Sequence, residues 1–220
     1  MNYLQIVQRV HSESGRSTAA PTSVVGANDR HVRLFNWVAD AWRDLQGERD
    51  WRWMRNTLDA ALTANQQTYS GADLGATRFG RWRKEDHDYS PYVYVDGAPN
   101  AIWPMTYWQL DQMRARFIYR TWGASTPIAW SYNEANELLI GPQPALAYKL
   151  RIEYWKEPSE LAADADTPDM PDRFHMLLVW AALQEVAKFD AAPEVLARAE
   201  KNHGALKFAL TMDQSRLPTL

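Results

Sequence analysis

The run Glu85-Asp86-His87-Asp88 sets three carboxylates beside an imidazole, the groups that acid–base chemistry or a metal ion would use. On a strand, neighbouring side chains point to opposite faces, so consecutive residues do not converge on one ion. The run therefore reads as a charged turn between strands. A second acidic set, Asp164, Asp166, Asp169 and Asp172, offers oxygen ligands at a spacing that can hold Ca²⁺, but the glycine and terminal glutamate of an EF-hand loop are missing. It reads as solvated linker, with Asp172 serving as a helix N-cap after Pro171. His11, His31, His175 and His203 have no partner at metal-ligand spacing. No nucleophile elbow, Walker loop or dinucleotide fingerprint occurs. The expectation is no catalytic residue, no metal and no cofactor; an enzyme using Glu85 or His87 is a lesser alternative.

One basic and aromatic cluster remains, Arg78, Arg81, Trp82, Arg83 and Lys84. Stacking plus phosphate neutralisation is the chemistry of single-stranded nucleic-acid binding. Glu85, Asp86 and Asp88 cancel that field, and the net charge of −3 is unlike the strongly basic balance of nucleic-acid binders. The cluster reads as a solvated or interface strand, or as an Arg rim meeting a neighbouring subunit's acids.

These residues must be positioned by elements of both kinds. Asn2 to Ser12 is expected to be a short amphipathic helix with Leu4, Val7 and Val10 or His11 on one face. Ser14 to Gly26 is a loop. A second helix starts near Asn28 or Asp29 and carries Leu34, Phe35, Val38, Ala41, Trp42 and Leu45 as a 3.6-residue stripe, stopping at Gly47. From Trp51 the pattern alternates, and Asn65-Gln66 is expected to turn the strand back through Gln67 to Tyr69. Strands are expected at Phe79 to Arg83 and Tyr92 to Val95, then a short helix at about Thr106 to Arg114. Ile128 to Tyr132 and Glu137 to Ile140 flank a four-residue loop, the best hairpin signal in the chain. Tyr148, Leu150, Ile152 and Tyr154 alternate with charges, one sheet face apolar. After an acidic linker, Pro158 to Pro171, a helix from Arg173 to Phe189 is apolar nearly all round and should be the most buried. Pro193 opens a fourth helix to about Leu210, and the residues from Thr211 read as extended.

The fold class is therefore α+β. A helical bundle of N- and C-terminal helices (1–50 and 159–210) carries an inserted antiparallel β region (51–158), with a tail at 211–220. At 220 residues without cysteine, the chain can bury a core with no disulfide framework. Met1 to Val10 lacks the basic and apolar regions of a secretory signal, and no apolar run approaches the ~18 residues that span a bilayer. The composition stands out in 11 Trp and 10 Tyr. Such rings bury large areas while keeping a polar handle, and they concentrate at protein interfaces. The set reads as a mixture of core and interface.

The helical ends resemble phage head-to-tail adaptor (connector) proteins. The N-terminal resemblance lies in Arg33-Leu34, Trp37-Val38, Ala41-Trp42, Leu45-Gln46 and Asp50-Trp51-Arg52-Trp53-Met54, after a short helix and the loop His11-Ser12-Glu13-Ser14-Gly15. The C-terminal resemblance lies in Glu153-Tyr154-Trp155-Lys156-Glu157-Pro158, Pro171-Asp172-Arg173-Phe174-His175 and Ala181-Ala182-Leu183. It covers about half the chain. It implies a virion component assembled in the host bacterial cytoplasm: a homo-oligomeric ring, twelve copies in the family, below the portal protein. That ring would extend the DNA channel, pass DNA without specific binding, and dock a tail or nozzle protein. In some members the C-terminal tail docks on the portal; by position that segment is Ser215, Arg216, Leu217, Pro218 and Leu220. Arg81, Trp82, Arg83, Trp103, Trp122 and Trp130 are the inter-subunit candidates. The alternative is a Trp-rich binding module of a phage tail for a carbohydrate or protein ligand, with Trp82, Trp103, Trp122 and Trp130 as exposed platforms.

Overall fold

The computed structural model describes residues 1–15, 18–26, 29–84, 86, 89–120 and 122–215. The chain is a mixed α+β protein and divides into two compact units, Met1–Trp53 with Pro158–Leu220, and Met54–Glu157.

The first unit is helical. Helix α1 spans Tyr3–Glu13 and opens with a reciprocal cap: the Asn2 side chain accepts from the Gln5 backbone N–H, and the Gln5 side chain accepts from that of Asn2. It buries Tyr3, Ile6, Val7, Val10 and His11. Helix α2, Asp29–Gly47, buries Leu34, Phe35, Val38, Trp42 and Leu45, the stripe expected from its 3.6-residue spacing. The expected cap Asn28 lies outside the described residues. Helix α4, Met176–Phe189, is the most apolar helix, and α1, α2 and α5 all pack against it. Helix α5 spans Pro193–Ser215, so Thr211 to Ser215 are helical and not extended. That last turn gains partners the sequence does not show: Arg173 pairs with Asp213, and the Ser215 hydroxyl donates to the Thr211 carbonyl.

Two further expectations in this unit are corrected. Asp172 is no N-cap. It lies in a 3₁₀ turn, Asp172–Phe174, with its side chain exposed and no capping hydrogen bond, because α4 starts one turn later. The segment after Pro158 is no solvated linker. Leu161 and Met170 are buried, and the carbonyls of Asp166 and Asp164 accept from the Tyr3 and Leu4 N–H groups, two of the donors a helix start leaves open. Gln46, buried at the end of α2, completes the attachment. Its side chain accepts from the Ser159 N–H at 2.8 Å and donates to the Ser159 carbonyl at 3.0 Å, while the Trp42 indole donates to the Ser159 hydroxyl.

The second unit holds two sheets. In the first, β9 (Lys149–Lys156) is flanked by β1 (Arg55–Ala61) along one side and by β4 (Tyr92–Val95) and β3 (Phe79–Trp82) along the other; β5 (Ala98–Pro104) extends β4. All of these pairings are antiparallel. The alternation expected around β9 puts Leu150, Ile152 and Tyr154 in the core. The second sheet has the order β2 (Thr68–Tyr69), β8 (Leu138–Gly141), β7 (Ala129–Tyr132), β6 (Thr106–Tyr107). The β7–β8 hairpin forms as expected, its loop tied by the Asn133 side chain, which accepts from the N–H groups of Ala135 and Glu137.

Two local expectations fail here. β1 does not fold back on β2: it pairs with β9 and β2 with β8, so Asn65-Gln66 crosses between sheets. Thr106-Tyr107 is not the start of a helix. It is captured as a parallel edge strand by β7, and helix α3 begins at Leu110 and runs to Met113, continued by a wider π-turn at Arg114–Ile118. Edge pairing, a long-range interaction, overrides the local helical pattern.

Candidate assembly interface

Of the acidic run, only Asp86 lies among the described residues; Glu85, His87 and Asp88 are outside them. Asp86 and Tyr89 are joined by a backbone bridge, and the Asp86 carboxylate takes one nitrogen of Arg83 while Glu153 takes another at 2.6 Å. Arg83 also lies over the Tyr89 ring, whose hydroxyl burial pushes to a raised pKa. Arg81 sits over Trp155, Arg78 donates to the Glu157 carbonyl, and the Lys84 ammonium lies between Tyr107 and Tyr132. A hydrogen bond with the Tyr132 hydroxyl raises the pKa of Lys84. The basic cluster is thus engaged within its own unit, each cation on a ring, a carboxylate or a carbonyl, in place of the open cradle a phosphate chain would need.

The linker acids serve the backbone. Asp166 accepts from the N–H groups of Ala162 and Ala163, bonds that hold its carboxyl below the ordinary range, and Asp164 accepts from the Val24 N–H. Among the described residues no group of three His, Asp or Glu gathers to hold a metal ion. The fold does bring His11 and His31 edge to face at 6.1 Å, a pairing that 20 positions of separation hide, but the His11 Nε2 is taken by the Thr18 hydroxyl. His175 is buried and bonds to the Met170 carbonyl.

The tryptophans divide. Trp82 and Trp130, expected on the surface, are 3% and 0% exposed and belong to the core of the second unit, where the Trp82 indole donates to the Asn136 carbonyl. Neither ring reaches the surface: Trp82 packs with Phe79 and Tyr154, and Trp130 with Tyr107 and Tyr132. Trp103 is half-buried, edge-on to Tyr148, and Trp122 is exposed. Ser215 ends α5 near Arg49, while Arg216, Leu217, Pro218 and Leu220 lie outside the described residues.

Two surface features gather residues that the sequence does not group, although Trp122 is by itself an inter-subunit candidate. The first is a cleft of about 480 Å³ in the helical unit, with Leu45, Leu178 and Ala181 among its apolar lining. Asp40 and Asp44 on α2 and Glu48 just past its end, four residues apart, line it together with Glu185. Arg43 pairs with Asp40, Lys207 with Glu48 and Lys188 with Glu185; Asp44 has no ion-pair partner among the described residues. His203 also lines the cleft, its pKa lowered by burial and by Lys207. The i, i+4, i+8 spacing of these acids is visible in the sequence, beside the apolar stripe of α2.

The second feature follows α3. There Ile118, Tyr119 and Trp122 are exposed, Tyr119 at 74%, and the Arg116 guanidinium lies 5.3 Å from the Trp122 ring centre. Arg114 pairs with Glu134, whereas Arg116 and Arg120 have no carboxylate partner among the described residues. The turn thus joins unmatched cations to large apolar side chains, the composition of interface anchors.

The chain is mixed α+β, buries part of its aromatic set and leaves Tyr119, Trp122, Phe189 and Phe208 exposed. The SU10 adaptor protein family model matches residues 1–217, and the chain belongs to that family, meeting the expected resemblance to phage head-to-tail adaptors. It is an adaptor of the phage virion. No curated protein matches the sequence. No helix among the described residues is long and apolar enough to cross a membrane.

Proposed function

We propose that the chain is a ring-forming head-to-tail adaptor subunit and performs no reaction. Its N- and C-terminal helices (1–50 and 159–210) form a bundle that carries the β insertion (51–158), and twelve copies sit below the portal protein. The ring extends the DNA channel and offers its far side to a tail or nozzle protein; Ser215, Arg216, Leu217, Pro218 and Leu220 dock on the portal. Arg81, Arg83, Trp103 and Trp122 stay as inter-subunit candidates, with Arg83 the least free to move, given its two carboxylates.

The observation that carries this reading is the apolar surface left on a chain of adaptor family. Tyr119 and Phe208 are 74% and 69% exposed, and Trp122 and Phe189 are 42% and 58%. Covering these rings would contribute about 25 cal/mol per Å² of apolar area, and permanent subunit contacts bury some 2,000 Å² or more. A net charge of −3 gives no strong attraction for phosphate, so DNA passes without being held. The test is to mix the purified chain with the portal protein of the same virion, separate the mixture by size-exclusion chromatography and weigh the peak by mass photometry. A co-migrating species with twelve adaptor chains per portal ring is expected. Failure to co-migrate at micromolar concentrations refutes the reading.

A further inference from the structure

We infer that the basic turn after α3 of one subunit seats in the acidic cleft of the next, so that these two features are the opposite faces of one ring contact. The inference rests on the ring reading above, and it names the surfaces that reading leaves open.

A closed ring requires each subunit to carry two different, mutually complementary patches. The cleft supplies one. Its carboxylates Asp40, Asp44, Glu48 and Glu185 surround apolar lining from Leu45, Leu178 and Ala181. The turn supplies the other, with Arg116 and Arg120 beside Ile118, Tyr119 and Trp122. Charges are opposite in sign, and each patch combines them with apolar surface.

The internal ion pairs of the cleft do not block such a match. Asp40–Arg43 and Glu185–Lys188 involve side chains about half exposed or more, Glu48–Lys207 side chains exposed by 36% and 39%, and ion pairs open to water contribute little. Asp44 is already unmatched among the described residues. On the turn, Arg116 is held over Trp122 but has no carboxylate there, so an incoming acid completes its bonding without breaking a pair. The cleft volume of about 480 Å³ is that of a small-ligand pocket. It admits the side chains of a turn more readily than a whole helix. Aromatic and Arg anchors entering a pocket are the arrangement that concentrates binding energy in protein contacts.

The experiment is a charge exchange, read by assembly on the portal. One variant carries Arg116→Glu and Arg120→Glu, a second Asp40→Lys and Asp44→Lys, and a third all four changes. These positions are on the surface, and an unchanged melting temperature for each variant shows that folding is intact. Each paired variant is expected to lower ring assembly by about tenfold or more, since like charges then face one another, and the fourfold variant is expected to recover most of it. Normal assembly by both paired variants overturns the inference while leaving the ring reading in place. Loss in the cleft variant alone, with no rescue, also overturns it and assigns the cleft to a portal or tail segment. If the natural chain itself forms no complex with the portal, the ring reading falls and this contact with it. A second measurement uses the absence of cysteine: Asp44→Cys with Tyr119→Cys introduces the only two thiols. Oxidised rings are expected to give a ladder of linked chains on a denaturing gel. Disulfides closed within single chains, or none, overturn the inference.

Discussion

Replacing Trp42 by alanine tests the packing on which the helical unit depends. The indole is 1% exposed on the buried stripe of α2, a helix that packs against α4, and its N–H donates to the Ser159 hydroxyl at 3.2 Å. Truncation removes the transfer free energy of the ring and leaves a cavity that the neighbouring helices fill only in part, which together cost about 3–5 kcal/mol for a buried aromatic. Loss of the hydrogen bond adds little, because the Ser159 hydroxyl retains contact with Gln46 at 3.5 Å. Urea denaturation followed by circular dichroism measures the difference, with the slope of the transition checked for constancy. A chain of two units need not unfold in one step, so the helical signal of the first unit is the one to follow. A loss below 1 kcal/mol would refute the packing of α2 described here.

Two further outcomes are expected. Trp82→Ala should destabilise the β unit by about 3–5 kcal/mol, since the ring is core, whereas Trp122→Ala should leave stability within about 0.5 kcal/mol and weaken ring assembly. Thermal melts set beside portal binding separate the two, and equal destabilisation by both would contradict their placement. His203 gives a pH dependence. Its folded pKa is lowered, chiefly by burial, so between that value and the ordinary 6.5 the unfolded chain binds the extra proton. Stability should therefore be full above pH 6.5 and fall as pH drops below it. His203→Gln should flatten that part of the curve, and an unchanged slope in the variant would show that another group is responsible.

Much of the helical and strand content is written locally. The stripe of α2, the cap at Asn2, the alternation of β9 and the Asn133 loop each follow from the spacing of a few residues, because a 3.6- or 2-residue period and a side-chain cap are decided by neighbours in the chain. The candidate surfaces were less legible. The spacing of the acids on and just past α2 is visible in the sequence, yet the cleft exists only because Leu178, Ala181 and His203 come from helices far along the chain. Likewise Trp82 and Trp122 look alike in sequence, and only the packing of Phe79 and Tyr154 against Trp82 makes it core.

The amino-acid order by itself determined most of the long helices and strands, the buried face of α2 and the resemblance to adaptor proteins, but not the strand at Thr106-Tyr107 or the last turn of α5. Tertiary structure decided strand partners, the fate of the Asp164–Asp172 segment and which rings stay wet. The division has one physical cause. Periodicity and capping are short-range, whereas burial, edge pairing and charge complementarity depend on segments that meet only when the chain has folded.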